Sequence, residues 1–272
     1  MVQDKFKNSK TLFWDYKPYS DADINFIIAD LNSSVEAERA NMECFVDGML
    51  NGYTLHDYVS AKGGFDSMLD KIYSIIDKSG IDFTNNRVLE FGAGICKLSA
   101  AISSKFDVKE IWCLDQAENL LKEIAPRVVN IVGGDLSKFK FVLGDMNSAF
   151  ELDEKFDAIV CYGAVHHLHL PEYFFESIHK ILNPNGVILI VDEPTLPDIH
   201  ILPGTQVANF KKHHFAKKRI GDNENAYTVN GYQNIFGKQW SSQLISVRPL
   251  SAFMRFQPYF SFMSNFVLRR ST

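Results

Sequence analysis

The sequence of 272 residues predicts a doubly wound α/β fold, with a mostly parallel sheet and a helical segment before it. Two observations support this prediction. From residue 87 onward, short apolar runs alternate with helical segments, which is the pattern of parallel strands covered by helices on both faces. The stretch 87–101, RVLEFGAGICKLSAA, also indicates a strand, a tight glycine turn and a helix N-terminus. Free backbone amides at such a turn can face a nucleotide-type ligand.

Residues 1–80 are predicted to form a helical lead-in, or cap, before the sheet. The spacing of apolar residues indicates helices over 21–31 and 34–50, and a third over 65–76. Gly80 suits the end of the third helix, because glycine readily adopts the left-handed conformation common at helix ends.

The second predicted domain, over residues 81–272, contains five successive strands. They are placed at 88–91, 110–114, 140–143, 156–161 and 187–191, with a helix at 118–125 and a tight Asn-Pro-Asn-Gly turn at 183–186. Asp115 follows the second strand about 20 residues after the glycine turn, where a carboxylate can accept both hydrogens of a ribose diol. The sequence therefore predicts a ribose-bearing cofactor at this edge of the sheet.

Composition and charge exclude several classes of protein. A hydrophobic content of 46% can fill a sizeable core, and a formal net charge of -5 disfavours non-specific binding to polyanions. The N-terminal segment is polar, and the longest apolar run, 187–191, is far too short to cross a bilayer. We therefore expect a soluble, cytoplasmic protein that binds neither nucleic acid nor membrane.

The four cysteines are Cys44, Cys96, Cys113 and Cys161. They are widely spaced, form no C-x-x-C pair, and have no histidine at metal-ligand spacing. Three of them fall on or beside predicted strands. We expect reduced thiols in the core, with no disulfide and no metal site.

The segment E-F-G-A-G-I-C that begins at Glu90 resembles the first motif of class I S-adenosylmethionine (SAM) dependent methyltransferases, an acidic residue followed by G-x-G-x-G. Cys96 stands at the third glycine, where its side chain is expected to narrow the approach to a ligand. A dinucleotide fingerprint would instead need glycine at position 97, which is Lys97 here, so a nicotinamide cofactor is disfavoured.

The resemblance covers about 110 residues, 88–194, and implies a Rossmann-like, seven-stranded sheet. Strands at 243–247 and 260–268 match the terminal pair of that fold, whose last strand is antiparallel to the others. The resemblance also implies that SAM is the cofactor and S-adenosylhomocysteine the product.

The cofactor contacts are implied residue by residue through the same resemblance. The glycine turn and the end of the fourth strand would border the methionine part of SAM, with an acidic residue supporting its ammonium. Acidic residues after the second and third strands would hold the ribose and the adenine amino group. The implied residues are Glu90, Gly92, Ala93, Gly94, Asp115, Gln116, Asp145, Met146, Tyr162 and Gly163.

Residues after the fourth and fifth strands are candidates for acid–base chemistry. Methyl transfer from a sulfonium mainly needs alignment and exclusion of water, but a hydroxyl or ammonium acceptor must also lose a proton. Histidine suits that task at neutral pH. The candidate catalytic residues are therefore His166, His167 and Glu193, although His167 can equally serve packing and Glu193 can equally be a hydrogen-bonded strand end.

Residues 195–240 are predicted to form an insertion that covers the substrate. This segment includes a dense positive run, KKHHFAKKR, at 211–219. The run can be a solvated helix face, or it can bind an anionic acceptor such as a phosphorylated sugar. Thr228 is predicted to cap a helix that runs to Phe236.

Taken together, the sequence predicts a SAM-dependent methyltransferase acting on a small molecule, with a hydroxyl of a sugar or secondary metabolite as acceptor. The end of the fourth strand, 161–164, lacks the acidic-or-Asn, Pro-Pro, aromatic signature of enzymes that methylate exocyclic nucleic-acid amines. It also lacks the carboxylate of catechol-type, metal-dependent enzymes. An RNA or protein methyltransferase, a non-catalytic SAM-binding protein and a nicotinamide oxidoreductase remain as alternatives.

Overall fold

A computed structural model describes residues 24–28, 65–196, 227–249 and 262–271. The predicted helix at 34–50 and the positive run at 211–219 lie outside these residues. The first helix with described residues, α1 (Phe65–Ser79), confirms the predicted third helix of the cap. Gly80 follows it with a φ of 64°, as its predicted role requires.

Nine strands form one sheet within the described residues. Five of the strands belong to the first part of the chain: β1 (Phe26–Ile28), β2 (Arg87–Phe91), β3 (Glu110–Asp115), β4 (Phe139–Leu143) and β5 (Phe156–Tyr162). The others are β6 (Leu182–Leu196), β7 (Tyr227–Thr228), β8 (Trp240–Pro249) and β9 (Phe262–Arg270).

The strand order is β1-β4-β3-β2-β5-β6-β9-β8, with β7 paired to β6. The pairs among β1 to β7 are all parallel, whereas β9 is antiparallel to both β6 and β8. The mostly parallel sheet with an antiparallel last strand is therefore confirmed. β1 and β7 extend it beyond the seven strands that were predicted.

Helices connect the strands. Among the described residues, α2 (Lys97–Lys105) follows β2, and a π-helical turn (Leu120–Ile124) leads into α3 (Ala125–Val132) after β3. α4 (Pro171–Ser177) follows β5, and α5 (Val229–Phe236) follows β7. Short 3-10 turns are Leu136–Lys138, Met146–Glu151, Val165–His167 and Ile178–Lys180. None of the helices in these parts of the chain is long and apolar enough to cross a membrane.

The sheet separates two hydrophobic cores. Val88 and Ile111 point into a first-face core with residues of α1, α2 and α3, whereas Leu89 and Trp112 point into a second-face core with residues of α4 and α5. This division follows from the two-residue period of a strand, which sends successive side chains to opposite faces. Both faces are covered, as the doubly wound prediction requires.

Three local predictions need correction. Residues 26–28 form β1, although apolar spacing predicted a helix over 21–31; pairing with β4 outweighs the local pattern. The helix predicted at 118–125 begins at 118, contains a π-helical turn over Leu120–Ile124 and continues to Val132. Residues 183–186 lie within β6 as an irregularity, because Leu182 pairs with Phe156 and Val187 with Ala158.

The cap on α5 agrees with its prediction. Thr228 adopts extended backbone, and its Oγ1 accepts a hydrogen bond of 3.0 Å from the N–H of Gly231. This bond satisfies one of the free donors in the first turn, so the helix begins where a threonine can cap it.

Candidate active site

The carboxyl ends of β2 to β6 meet at one edge of the sheet, because these strands are parallel neighbours. Ligands of open α/β sheets bind in the crevice outside such an edge. The sequence-predicted site residues lie at this edge on the following elements. The glycine turn 92–94 follows β2, Asp115 ends β3, Asp145 and Met146 follow β4, Tyr162 ends β5 with Gly163 and His166 beyond it, and Glu193 lies near the end of β6.

The two glycines of the turn have different structural roles. Both have positive φ, 60° at Gly92 and 52° at Gly94. A Cβ added to Gly92 would lie 2.7 Å from the Cβ of Ala164, so close packing requires glycine there. A Cβ added to Gly94 would meet no atom within 4 Å. The turn is therefore packed on one side and open beside Gly94, where a ligand can approach the backbone.

Cys96 does not narrow this opening. It has a φ of 57°, in the left-handed region that the family's glycine would occupy more easily, and its side chain is fully buried in the first-face core. The expectation that this side chain restricts the approach of a ligand is therefore wrong. Cys96, Cys113 and Cys161 are all buried free thiols, which agrees with the prediction of reduced thiols in the core for the three cysteines within the described residues.

Glu90 is a fully buried carboxylate under the glycine turn. Its Oε2 accepts a hydrogen bond of 3.1 Å from the N–H of Ser99 in the first turn of α2. Its Oε1 is buried without a hydrogen-bond partner among the described residues. Burial raises the pKa of Glu90 to about 7, against the lowering effects of the Ser99 hydrogen bonds and the Lys97 charge. One carboxylate oxygen of Glu90 is thus hydrogen-bonded to α2, and the other lacks a partner among the described residues.

Asp115 ties β3 to the glycine turn. Its Oδ2 accepts a 2.7 Å hydrogen bond from the N–H of Gly94, and its Oδ1 accepts one of 2.9 Å from Ala117. Burial raises the pKa of Asp115, while these backbone hydrogen bonds, with one from the neighbouring Gln116, lower it. The carboxylate is consequently held directly beside the open side of the turn.

Asp145 and Met146 lie close to the same turn. Asp145 is buried, and its Oδ1 accepts from the backbone N–H and the side-chain amide of Asn147, at 2.8 and 2.9 Å. It thereby caps the 3-10 turn that follows β4. A Cβ on Gly92 would lie 3.1 Å from the Sδ of Met146, so this side chain borders the glycine turn.

A second set of polar side chains lies at this edge and links α2 to β8. The Tyr162 hydroxyl donates to Asp192, and Arg248 donates from Nε to Asp192 Oδ1 at 3.2 Å and from Nη2 to Oδ2. The ammonium of Lys97 lies 3.7 Å from the centre of the Tyr162 ring, a cation–π contact. Sequence analysis missed Arg248, because nothing in its local pattern indicates a partner 56 residues away.

A β-bulge in β6 decides which face Glu193 occupies. Ile190 pairs with Phe266 and Glu193 with Ser264, so β6 has one more residue than β9 between these two pairs. Asp192 has a φ of 54° in this bulge. One extra residue reverses the alternation of a strand, which sends Glu193 to the second-face side.

Glu193 then binds the turn that carries His166. It is fully buried and accepts hydrogen bonds from the N–H groups of Ala164 at 2.7 Å, Val165 at 2.8 Å and His166 at 3.2 Å. Its Oε2 also lies 3.0 Å from His166 Nδ1, and the Tyr232 hydroxyl donates to it at 3.3 Å. Burial and the Glu193 charge raise the pKa of Tyr232 well above its usual value. The His166 ring is thus fixed by a buried carboxylate.

The other two histidines of this segment are held differently. The rings of His166 and His167 have centroids 4.0 Å apart, and the His167 N–H donates to Ala164 O at 3.0 Å. The N–H of His169 donates to Asn147 Oδ1 at 2.9 Å, and His169 is exposed. Glu193 forms its hydrogen bond with the ring of His166.

Comparison with known proteins shows which families and folds the chain is similar to. Residues 89–188 match a family described as a methyltransferase domain. The structure resembles YcgJ from Bacillus subtilis, with a TM-score of 0.55 and 18% identity, over 75% of this chain and 100% of that one. None of the curated proteins matches the sequence.

Two further solved structures share the fold. One is phosphoethanolamine N-methyltransferase 2 from Haemonchus contortus, in complex with phosphomonomethylethanolamine and S-adenosylhomocysteine. Its TM-score is 0.60 at 15% identity, over 85% of this chain and 60% of that one. The other is the cyclase SpnF, with a TM-score of 0.62 and 10% identity, over 90% of this chain and 100% of that one.

The family match and the strand order agree with the predicted class: residues 89–188 match a methyltransferase domain in sequence and have its Rossmann-like fold. The match and the shared fold agree with an enzyme of the SAM-dependent methyltransferase type. The acceptor needs a separate argument, because the fold is shared with proteins named for different reactions.

Replacing Gly94 with Ala is expected to weaken SAM binding about tenfold or more, because the new Cβ would enter the open side of the turn. Gly92→Ala should lose more stability than Gly94→Ala. Both substitutions place alanine at positive φ, which costs roughly 1–2 kcal/mol, but the first also clashes with Ala164. Thermal unfolding and calorimetric titration with SAM measure the two effects.

Gly133→Ala is the matched control for this pair. Gly133 ends α3 with a φ of 85°, and an added Cβ there would also meet no atom within 4 Å. It should lose stability as Gly94→Ala does but keep its affinity for SAM. Equal affinities in the two variants would contradict a ligand beside Gly94.

The stability of the protein should depend on pH through Glu90. The pKa of this group is about 7 in the fold against an ordinary 4.5, so the folded protein holds a proton that the unfolded chain releases between these values. Stability therefore falls as pH rises through this window, by up to about 3 kcal/mol. Glu90→Gln lacks this titration.

Denaturant unfolding at about pH 5 and about pH 8 measures the effect. The free energy of unfolding of the natural protein is expected to fall relative to that of Glu90→Gln at the higher pH. Glu176→Gln, at an exposed position on α4, should have the same change in the free energy of unfolding between the two pH values as the natural protein. Identical pH dependence in the natural protein and Glu90→Gln would show that Glu90 titrates normally.

Proposed function

We propose that this protein transfers the methyl group of SAM to a hydroxyl of a small molecule, a sugar or secondary metabolite. The observation that carries the proposal is the pairing of His166 with the buried Glu193 at the edge that bears the glycine turn. A hydroxyl is a weak nucleophile until it loses its proton, so it needs a positioned base. A neutral amine already has its lone pair and has less need of one.

The residues at the edge fit SAM. SAM offers a ribose diol, an adenine amino group and an ammonium, all of them hydrogen-bond donors. The edge offers three buried carboxyl groups, at Glu90, Asp115 and Asp145, and one oxygen of Glu90 lacks a partner among the described residues. The space beside Gly94 admits close approach to the backbone. When bound, SAM supplies an electrophilic methyl group on a sulfonium.

Each residue of the edge has a proposed role toward SAM. The carboxyl of Glu90 would support the ammonium, Asp115 with Gln116 would hold the ribose, and Asp145 would accept from the adenine amino group. Met146 would pack on the adenine. The residues that border the methionine part are Gly92, Ala93, Gly94, Tyr162 and Gly163.

His166 is the proposed base. An ionised Glu193 can only accept hydrogen bonds, so its contact with Nδ1 places the proton of a neutral His166 ring on that nitrogen. Nε2 is then the basic atom, which takes the proton from the acceptor hydroxyl. The Glu193 charge stabilises the imidazolium that results, and its hydrogen bonds to the backbone of the turn keep the ring in place.

Calorimetry and methyl-transfer assays test the proposal in two stages. SAM and S-adenosylhomocysteine should each bind, whereas a nicotinamide cofactor should not. Labelled SAM is then offered with sugars, phenols, amines and tRNA, and the mass of the product identifies the methylated atom. Transfer to tRNA or to amines alone would overturn the hydroxyl acceptor. Binding of SAM without any transfer would indicate a non-catalytic SAM-binding protein.

His166→Asn is expected to lower kcat by about 100- to 10,000-fold, which is the usual contribution of a general base. Its affinity for SAM should be retained, so the loss lies in kcat and not in cofactor binding. Glu193→Gln should also lower kcat, because it removes the charge that orients the ring.

His169→Asn is the control, since His169 is exposed and outside the Glu193 group. His167→Asn tests the alternative base, because its ring lies next to that of His166. A large loss of kcat in His167→Asn with a normal rate in His166→Asn would assign the base to His167.

An anionic acceptor is the finer form of the proposal, supported by the positive run at 211–219 in an acidic sequence. Lys211→Ala and Lys217→Ala should raise the KM of charged acceptors by more than that of neutral ones. Added salt should raise the KM of the charged acceptors but not that of the neutral ones. Equal changes of KM for charged and neutral acceptors would identify the run as a solvated surface.

A further inference from the structure

Three polar side chains form a cluster beneath the glycine turn, on the first-face side of the sheet. They are Glu90, Cys96 and Cys113, all fully buried. One carboxylate oxygen and the two Sγ atoms all lie within 4.8 Å of one another. Sequence spacing did not indicate this group, because the strand pairing of β2 with β3 assembles it.

The backbone holds the three residues in fixed positions. Glu90 and Cys113 are register partners in the parallel pair β2 and β3. Cys96 is brought to them by the left-handed turn before α2, and its N–H donates to Ala93 O at 2.8 Å. The frame is therefore built from two central strands and a closed turn, which do not need to form anew when a ligand binds.

The cluster contains a polar atom that lacks a partner. Glu90 Oε1 is buried and makes no hydrogen bond with any of the described residues, although two thiol groups lie beside its carboxylate. A buried carboxylate oxygen without a partner costs free energy comparable with a lost hydrogen bond or more. A cation between the carboxylate and the thiols would satisfy this oxygen, in competition with the SAM ammonium that the proposed function directs to the same carboxyl.

We propose that Glu90, Cys96 and Cys113 form a binding site for a soft divalent cation of the zinc and cadmium type. Thiolates favour soft and borderline ions, and a carboxylate is a common third ligand for zinc. Two thiolates and one carboxylate leave a net charge of -1 around such an ion, far less than the three bare anions would carry.

Binding is an exchange of protons for the cation. Both thiols lose their protons, and Glu90 loses its proton when it is protonated; these protons go to the solvent, and no atom changes oxidation state. The affinity for the cation should therefore increase with pH. The cation would also hold Cys96, and with it the turn that carries Gly94, so it couples this site to the open side of the turn.

Titration of the full chain with Cd²⁺ tests the proposal. All proteins in the experiment carry Cys44→Ala, so that a thiol outside the described residues does not contribute. Thiolate-to-cadmium charge-transfer absorption should appear and saturate at about one ion per chain, with the bound ion counted by dialysis and metal analysis. Neither readout requires SAM or methyl transfer.

Variants of the two cysteines locate the site. Cys96→Gly and Cys113→Ala should each lower the affinity for Cd²⁺ by about tenfold or more and reduce the charge-transfer absorption. Cys161→Ala is the matched control, because Cys161 is an equally buried free thiol that points into the second-face core. It should leave both the absorption and the affinity unchanged.

Glycine at position 96 suits the observed φ of 57°, so Cys96→Gly is the variant expected to keep the fold. If Cys113→Ala unfolds, Cys96→Gly and Glu90→Gln decide the matter, with circular dichroism as the check on folding. Glu90→Gln keeps both thiols but should still lower the affinity for Cd²⁺, because it removes the carboxylate ligand. The proposal is overturned if no cadmium-dependent absorption appears, if the absorption is unchanged in Cys96→Gly, or if the affinity for Cd²⁺ is unchanged in Glu90→Gln.

Discussion

Buried carboxylates that accept hydrogen bonds from backbone N–H groups hold the candidate site together. Asp115 accepts from the glycine turn, Glu90 from the start of α2, and Glu193 from three successive residues after β5. Turns at the edge of a parallel sheet expose N–H groups that would otherwise be unsatisfied. Each carboxylate supplies the acceptor and fixes the turn against a neighbouring strand, so the shape of the edge depends on side chains rather than on the ladder alone.

This arrangement costs stability at the groups that are hardest to satisfy. Glu90 has one hydrogen-bonded oxygen and one without a partner among the described residues, and its pKa is raised to about 7. Glu193 has five contacts with hydrogen-bond donors, and neither of its carboxylate oxygens is left without a partner. The difference indicates where a ligand has something to gain: a cation or a donor beside Glu90 stabilises the fold, whereas the surroundings of Glu193 are already complete.

Local sequence patterns predicted the parts of the fold that depend on neighbouring residues. The strand, glycine turn and helix around Gly92, the position of Asp115 and the capping by Thr228 all follow from short-range spacing, whereas Asp145 was implied by the resemblance to a known family. The parts that depend on distant pairing were missed. Residues 26–28 form a strand because they pair with β4, and Arg248 reaches Asp192 because β9 pairs with both β6 and β8 and so brings these two strands to its two sides. No window of the sequence contains both partners of such contacts.

The bulge in β6 explains why the sequence could identify Glu193 but could not assign its role. Strict alternation from Ile190 would place Glu193 in the first-face core, away from His166. The extra residue, accommodated by a φ of 54° at Asp192 and by a hydrogen bond of 2.8 Å from its N–H to Asn265, reverses that phase. Asp192 then meets Tyr162 and Arg248, while Glu193 holds the histidine turn. One inserted residue therefore gives adjacent carboxylates separate partners, and the chemistry proposed for this edge depends on that single irregularity in the strand.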